Sequence, residues 1–230
     1  MEYPKSDYKE YPKTLDPDDI WGQVRRTAYG KPIPEDQILL MVAAMRSGLE
    51  LAAGDVLLDI GCGNGALSHY LFPDCSGYLG VDFSEYLVSV GQRKFHRPGF
   101  DFHFSDALEY LRGEPDPKRF NKAMCFAVLS YMNDDTALDV LTTLRKRFAN
   151  VTRVFLGNLP DRDLAGQFYP ADVDYSRDIE DPASQIGRWR NPEQMAALAE
   201  EAGWRLSASR MPDHFYQSHY RYNAVLEILE

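Results

Sequence analysis

The stretch Leu57-Leu58-Asp59-Ile60-Gly61-Cys62-Gly63-Asn64-Gly65-Ala66-Leu67 decides how this chain folds. Val56-Leu57-Leu58-Asp59-Ile60 reads as a buried strand, and it runs straight into glycines at 61, 63 and 65. Glycines at a strand-to-helix turn adopt backbone conformations closed to other residues and let a ligand approach the main chain. Taken alone the loop is ambiguous, because Gly61, Gly63 and Ala66 also satisfy the dinucleotide-binding pattern G-x-G-x-x-G/A.

Outward from the loop the pattern alternates. Before it, Ile38, Leu39, Val42, Met45 and Leu49 share one face of a helix that starts at Pro34, with Gly48 as its stop. After it the spacing predicts a helix over 65–72, a strand over 78–82 and a helix over 84–95. A strand at 101–104, a short helix from Asp106, a strand over 122–129, a helix over 134–148 and a strand at 153–156 follow. Strands alternating with helices make a parallel sheet covered on both faces. Residues 159–190 break the rhythm with prolines, aspartates and tyrosines, and read as a substrate-binding insertion, since long irregular segments in compact domains are often functional. Pro192 opens a last helix to Ala202, Gly203 caps it, and strands at 204–209 and 222–229 end the chain. Residues 1–20, with prolines at 4, 12 and 17, read as an extended arm, 1–34 as an N-terminal arm or cap over the site, and 35–230 as the domain itself.

Composition narrows the function classes. The chain has 230 residues, enough for a sizeable core without a disulfide or metal staple. Lys plus Arg number 25 against 35 Asp plus Glu, a formal charge of −10, which argues against nucleic acid as a partner. Cys62, Cys75 and Cys125 form no C-x-x-C pair, so neither a zinc site nor a disulfide framework is expected. No apolar run is long enough for a membrane span and none follows the N-terminus as in a signal peptide, so the expected location is the cytoplasm.

Three acids fall at consecutive strand ends: Asp59, Asp82 and Asp106. They line one edge of the sheet, where open α/β folds bind ligands. Asp59 suits an ammonium group, Asp82 a bidentate grip on two ribose hydroxyls, and Asp106 an exocyclic adenine amine. Helix capping is the competing role for Asp82 and Asp106. A pyrophosphate gains nothing from Asp59.

With these residues the sequence resembles the class I S-adenosylmethionine-dependent methyltransferases. Asp59 to Gly65 resembles the family's first motif, and Gly80-Val81-Asp82-Phe83-Ser84 its second-strand acid. Ser105-Asp106-Ala107 resembles the adenine-contacting segment, and Phe126 to Tyr131 the fourth-strand end beneath the cofactor. The resemblance spans roughly residues 38–229. Arg147-Phe148-Ala149-Asn150 stands where the family usually has Pro-Gly-Gly. The resemblance implies a Rossmann-like α/β fold, a doubly wound seven-stranded sheet with an antiparallel last strand. It implies S-adenosylmethionine as cofactor and S-adenosylhomocysteine as product. Tyr29, Asp59, Gly61, Cys62, Gly63, Asn64, Asp82, Phe83, Leu87, Asp106, Ala107 and Phe126 would hold the cofactor.

For the acceptor, Trp21 and Arg25 in the arm and Tyr131, Asn158, Tyr169 and Tyr216 further on are candidate wall residues. Gln23, Arg25 or Arg26 is expected to reach the cofactor's carboxylate. An oxygen acceptor also sheds a proton, usually to a nearby base; His214 is the first candidate and His219 the second. Asn133-Asp134-Asp135 opens a helix, so a helix cap is expected there rather than a metal site. The expected activity is O-methylation of a small molecule, a sugar or secondary metabolite, by a monomer or homodimer without metal. Alternatives are a nicotinamide-dependent oxidoreductase on the same glycine loop and a methyltransferase-like domain that binds without turnover.

Overall fold

The computed structural model describes residues 7–28 and 31–229. In chain order the elements are α1 (Ile20–Gln23), β1 (Thr27–Ala28), β2 (Lys31–Pro32), α2 (Glu35–Leu49), β3 (Val56–Ile60), β4 (Gly77–Asp82) and α3 (Glu85–Phe95). Then come β5 (Phe100–Phe104), α4 (Ala107–Gly113), β6 (Lys122–Phe126), α5 (Asp134–Arg147), β7 (Arg153–Pro160), α6 (Pro192–Glu201), β8 (Trp204–Ser209) and β9 (Arg221–Ile228). Strand side chains alternate between faces, and in β3 each face meets its own apolar layer. Leu57 joins Ile38, Met41, Val42 and Met45 of α2 and Val88 of α3. Leu58 and Ile60 join Leu111 of α4, Val140, Leu141 and Leu144 of α5, and Met195 of α6.

Seven strands form one sheet in the order β5-β4-β3-β6-β7-β9-β8. β3 to β7 are parallel, and β9 runs antiparallel between β7 and β8. Strand order reverses between β3 and β6, so their carboxyl ends bound a crevice at a topological switch point.

Five local readings change. The helix expected over 65–72 is a 3-10 helix, Ser68–Asp74, containing Pro73, whose ring nitrogen cannot donate to an α-helical ladder. The strand expected over 122–129 stops at Phe126, where Ala127 takes φ 59° and Leu129–Tyr131 turns as 3-10 helix. β7 continues to Pro160 through a register shift between Leu156 and Leu159, so the irregular segment begins at Asp161. Gly48 does not stop α2; Glu50 ends it in the left-handed region, and Gly48 instead makes room for Phe155, whose ring a Cβ would meet at 2.5 Å. The arm is not extended in its described part. Asp19 caps α1, the Gln23 amide donates to the Asp16 and Pro17 carbonyls, and Gln23 is fully buried.

Asn133 caps α5, its Oδ1 accepting the Thr136 N–H at 2.8 Å. Asn191 and Gln194 form a reciprocal capping box ahead of α6. Trp204 is buried and its indole N–H donates to the Leu141 carbonyl at 3.0 Å, tying β8 to α5.

Candidate active site

The crevice at the strand ends opens into one cavity that reaches from Asp106 after β5 to Arg221 at the start of β9. Its floor is the glycine loop. Gly61, Gly63 and Gly65 have φ of 76°, 57° and 75°. Gly61 allows the close passage of Val128, whose methyl a Cβ would meet at 2.3 Å. The loop is fastened to β4 by the Gly61 and Cys62 N–H groups, which both donate to the Val81 carbonyl.

Asp82 holds the loop as well. One carboxylate oxygen accepts the Gly63 N–H and the other the Ser84 N–H, both at 2.8 Å, and each keeps a lone pair for a ligand. Burial pushes its pKa up to about 6. Asp59 lies deeper and is 2% exposed. One of its oxygens accepts the Ser68 hydroxyl and the Tyr78 hydroxyl, the latter at 2.9 Å. Burial pushes it up to about 7, against the lowering by those hydrogen bonds. Two acids whose ionisation burial disfavours become better carboxylates when a cation or a pair of hydroxyl donors joins them. Asp106 caps α4 through one oxygen, which accepts the Leu108 and Glu109 N–H groups at 2.9 and 3.3 Å, and it also faces the cavity.

Of the other expected cofactor residues, Cys62, Phe83, Leu87, Ala107 and Phe126 line the cavity. Burial raises the Cys62 thiol well above its ordinary range, so it is no nucleophile here. Asn64 also lines the cavity, yet its side chain serves the arm: Nδ2 donates to the Ile20 carbonyl at 2.8 Å and to the Gln23 amide oxygen at 3.0 Å. Tyr29 lies outside the described residues.

The expected acceptor residues divide. Arg25, Tyr131, Asn158 and Tyr216 line the cavity. Arg25 has φ 51° and lays its guanidinium 3.8 Å from the centre of the Tyr11 ring. Trp21 is packed against the α2 layer, away from the cavity lining. Tyr169 stacks on Tyr175 at 4.7 Å in a satellite cluster with Trp189 and Tyr220. His214 and His219 are exposed and outside the cavity. Their loop is fixed by buried Phe215 and by the Tyr216 N–H, which donates to Gln37, so Tyr216 and Gln217 turn inward while both histidines face out. Gln23, expected near a carboxylate, is used up inside the arm.

Sequence reading missed Tyr8, Ser130, Gln185, Gln217 and Arg221, all of which line the cavity. The Tyr220-Arg221-Tyr222 entry to the last strand held the one available sign, a basic residue flanked by aromatics that otherwise read as sheet.

The donor set tests the cofactor. Three carboxylates disfavour a pyrophosphate, and together they suit a nucleoside that carries an amino-acid chain, with ammonium, ribose hydroxyl and adenine amine donors. This lining favours S-adenosylmethionine over a nicotinamide dinucleotide at the loop. Comparison with known proteins agrees. Residues 58–151 match the family model described as a methyltransferase domain. An uncharacterized methyltransferase of Schizosaccharomyces pombe is 29% identical over 114 residues, 46% of this chain and 39% of that protein. A ubiquinone biosynthesis O-methyltransferase of Pseudomonas entomophila is 27% identical over 86 residues, 37% of each chain. The chain thus spans roughly two fifths of the length of these curated relatives. Among solved structures, the DhpI–SAH complex superposes with a TM-score of 0.64 at 14% identity, covering 97% of this chain and 94% of that one. Magnesium protoporphyrin IX methyltransferase of Synechocystis with bound SAH gives 0.60 at 17% identity, covering 92% and 93%. Residues 58–151 are thus similar to a methyltransferase domain, and the chain shares the Rossmann-like fold of the two SAH-bound structures.

Proposed function

We propose that this protein transfers the methyl group of S-adenosylmethionine to an oxygen of a small molecule. The observation that carries the proposal is the continuity of one cavity across two chemically different halves. Asp59, Asp82 and Asp106 occupy the β3–β5 half, while Tyr131, Asn158, Tyr216, Gln217 and Arg221 occupy the half beyond β6. In this reading Asp82 and Asp106 hold the ribose and adenine, and Asp59 draws the ammonium end towards the loop. Arg26, whose guanidinium sits 4.8 Å over the Phe126 ring, is placed for the carboxylate. Likeness to an O-methyltransferase over 86 residues supports oxygen as the acceptor atom.

When bound, S-adenosylmethionine would supply a methyl on a sulfonium centre, the C–S electron pair passing to sulfur as the acceptor oxygen gains the methyl and the acceptor proton passing to solvent. The protein's part is to align the acceptor and exclude water. Burial raises the Tyr131 phenol well above its ordinary range, so Tyr131 donates a hydrogen bond rather than taking a proton. Its hydroxyl donates to the Gln185 carbonyl at 3.1 Å, which joins the 161–190 segment to the acceptor half. The arm, with Tyr8 and Val24 to Thr27 on the cavity, acts as its cover. The three free thiols suit a reducing cytoplasm. Among the described residues no helix is long and apolar enough to cross a membrane.

The test is methyl transfer from methyl-labelled S-adenosylmethionine to a panel of hydroxylated small molecules, with amine and thiol analogues beside them. Label on oxygen is the expected result. Label on nitrogen or sulfur alone would overturn the acceptor assignment.

A further inference from the structure

Arg221 is 8% exposed and lines the cavity. Among the described residues its guanidinium makes one hydrogen bond, from Nη1 to the Asn158 carbonyl at 2.5 Å, and no ion pair. Its Nε is buried without a partner. The group also lies 5.0 Å from the centre of the Tyr220 ring. A buried guanidinium without an anion is costly, because guanidinium loses its hydration and gains no opposite charge. The side-chain oxygen of Gln217 is also buried and, among the described residues, unpartnered, and it too lines the cavity. Two unsatisfied polar atoms in one cavity, one a charged donor and one an acceptor, describe the ligand that completes them.

Position separates this ligand from the cofactor. Arg221 pairs with Pro160 at the end of β7, and β9 is three strands from β3. At the usual strand spacing that places it about 14 Å from the Asp59 end of the crevice. The three acids occupy the far side, so Arg221 belongs to the half that faces the acceptor.

We propose that the methyl acceptor carries an anionic oxygen group, a carboxylate or a phosphate, that binds Arg221, together with a hydroxyl or N–H that donates to Gln217. Guanidinium offers planar paired donors that match either anion. This rests on the methyltransferase reading above, with the acceptor entering from the β7–β9 side. The net charge of −10 makes the site selective by contrast, since acidic surroundings disfavour anions everywhere the arginine is not.

The test loads wild-type protein and Arg221→Gln with S-adenosylhomocysteine and follows thermal midpoints with benzoate, benzamide and inorganic phosphate. Benzoate or phosphate should raise the wild-type midpoint while neutral benzamide does not. The response should vanish in Arg221→Gln, corresponding to a loss of about tenfold or more in anion affinity. The affinity for S-adenosylhomocysteine should stay within about twofold of wild type. Which anion responds distinguishes carboxylate from phosphate. No anion response in wild type, or an equal response in the variant, overturns the proposal. So does a loss of S-adenosylhomocysteine binding in the variant, which would give the arginine to the cofactor. Failure of wild type to bind S-adenosylhomocysteine would instead overturn the methyltransferase reading itself. Where Arg221→Gln does not fold, Arg221→Lys serves; it keeps the charge and loses the paired donors, so a reduced anion response is expected and an unchanged one contradicts the assignment.

Discussion

Asp82 shows how one carboxylate serves both structure and ligand. Its two oxygens already hold the Gly63 and Ser84 N–H groups, and its remaining lone pairs are the ones a ribose would use. Asp82→Ala should therefore weaken S-adenosylhomocysteine by at least about tenfold, since charge-assisted hydrogen bonds contribute roughly 1.5–3 kcal/mol each. Titration calorimetry checks this, and unchanged affinity would remove Asp82 from the cofactor. Asp59 gives a pH signature. Its carboxyl titrates near 7 in the folded protein and near 3.8 unfolded. Between those values the folded state binds more protons, so ligand-free stability falls as pH rises from about 4 to about 7. Asp82, raised to about 6, acts in the same direction. Asp59→Asn should flatten that slope, melt above wild type near about pH 8, and bind S-adenosylhomocysteine more weakly. An unchanged slope in melting curves across pH would contradict the assigned cause. These acids were legible from the sequence because a strand end followed by glycine fixes where an acid must lie. Arg221 was not legible, because a single arginine in an aromatic strand carries no local mark of whether its partner is protein or ligand.

At the scale of elements, the 161–190 segment is held to the sheet by backbone rather than by regular structure. The Arg188 N–H donates to the Ser130 carbonyl at 2.6 Å, and Gly187 turns there with φ 80°. A Cβ on Gly187 would lie 2.4 Å from that same carbonyl oxygen. Gly187→Ala should thus undock the segment, raising amide exchange over 161–190 and lowering acceptor turnover, while cofactor affinity stays near wild type. Unchanged exchange would show that the ion pairs of Arg188 and Arg190 with Asp134 suffice to dock it. Periodicity located the helices and strands correctly where apolar residues repeat, as in α2, α3 and α5. It missed 3-10 turns at Ser68–Asp74 and Leu129–Tyr131, whose apolar spacing fits either helix and whose geometry is set by Pro73 and by the left-handed Ala127. The arm misread for a related reason: its order comes from Gln23 and Asn64, a contact 41 residues apart that no local pattern encodes.

For the whole molecule, alternating strands and helices made the doubly wound sheet readable, and the switch point between β3 and β6 made the site edge readable with it. What remained hidden was part of the half beyond β6: Tyr131, Asn158 and Tyr216 were legible, whereas Tyr8, Ser130, Gln185, Gln217 and Arg221 reach the cavity from separate segments. The central claim is that the acid-lined half of this cavity holds S-adenosylmethionine. Its most direct test is the thermal midpoint of the full chain with S-adenosylhomocysteine, S-adenosylmethionine, NAD and NADP. A ligand at about 100 times its dissociation constant adds about 2.7 kcal/mol, several degrees for a domain of this size. A rise with the two sulfur ligands alone is predicted. A rise with NAD or NADP alone would contradict the account, because it would mean that the three acids admit a pyrophosphate.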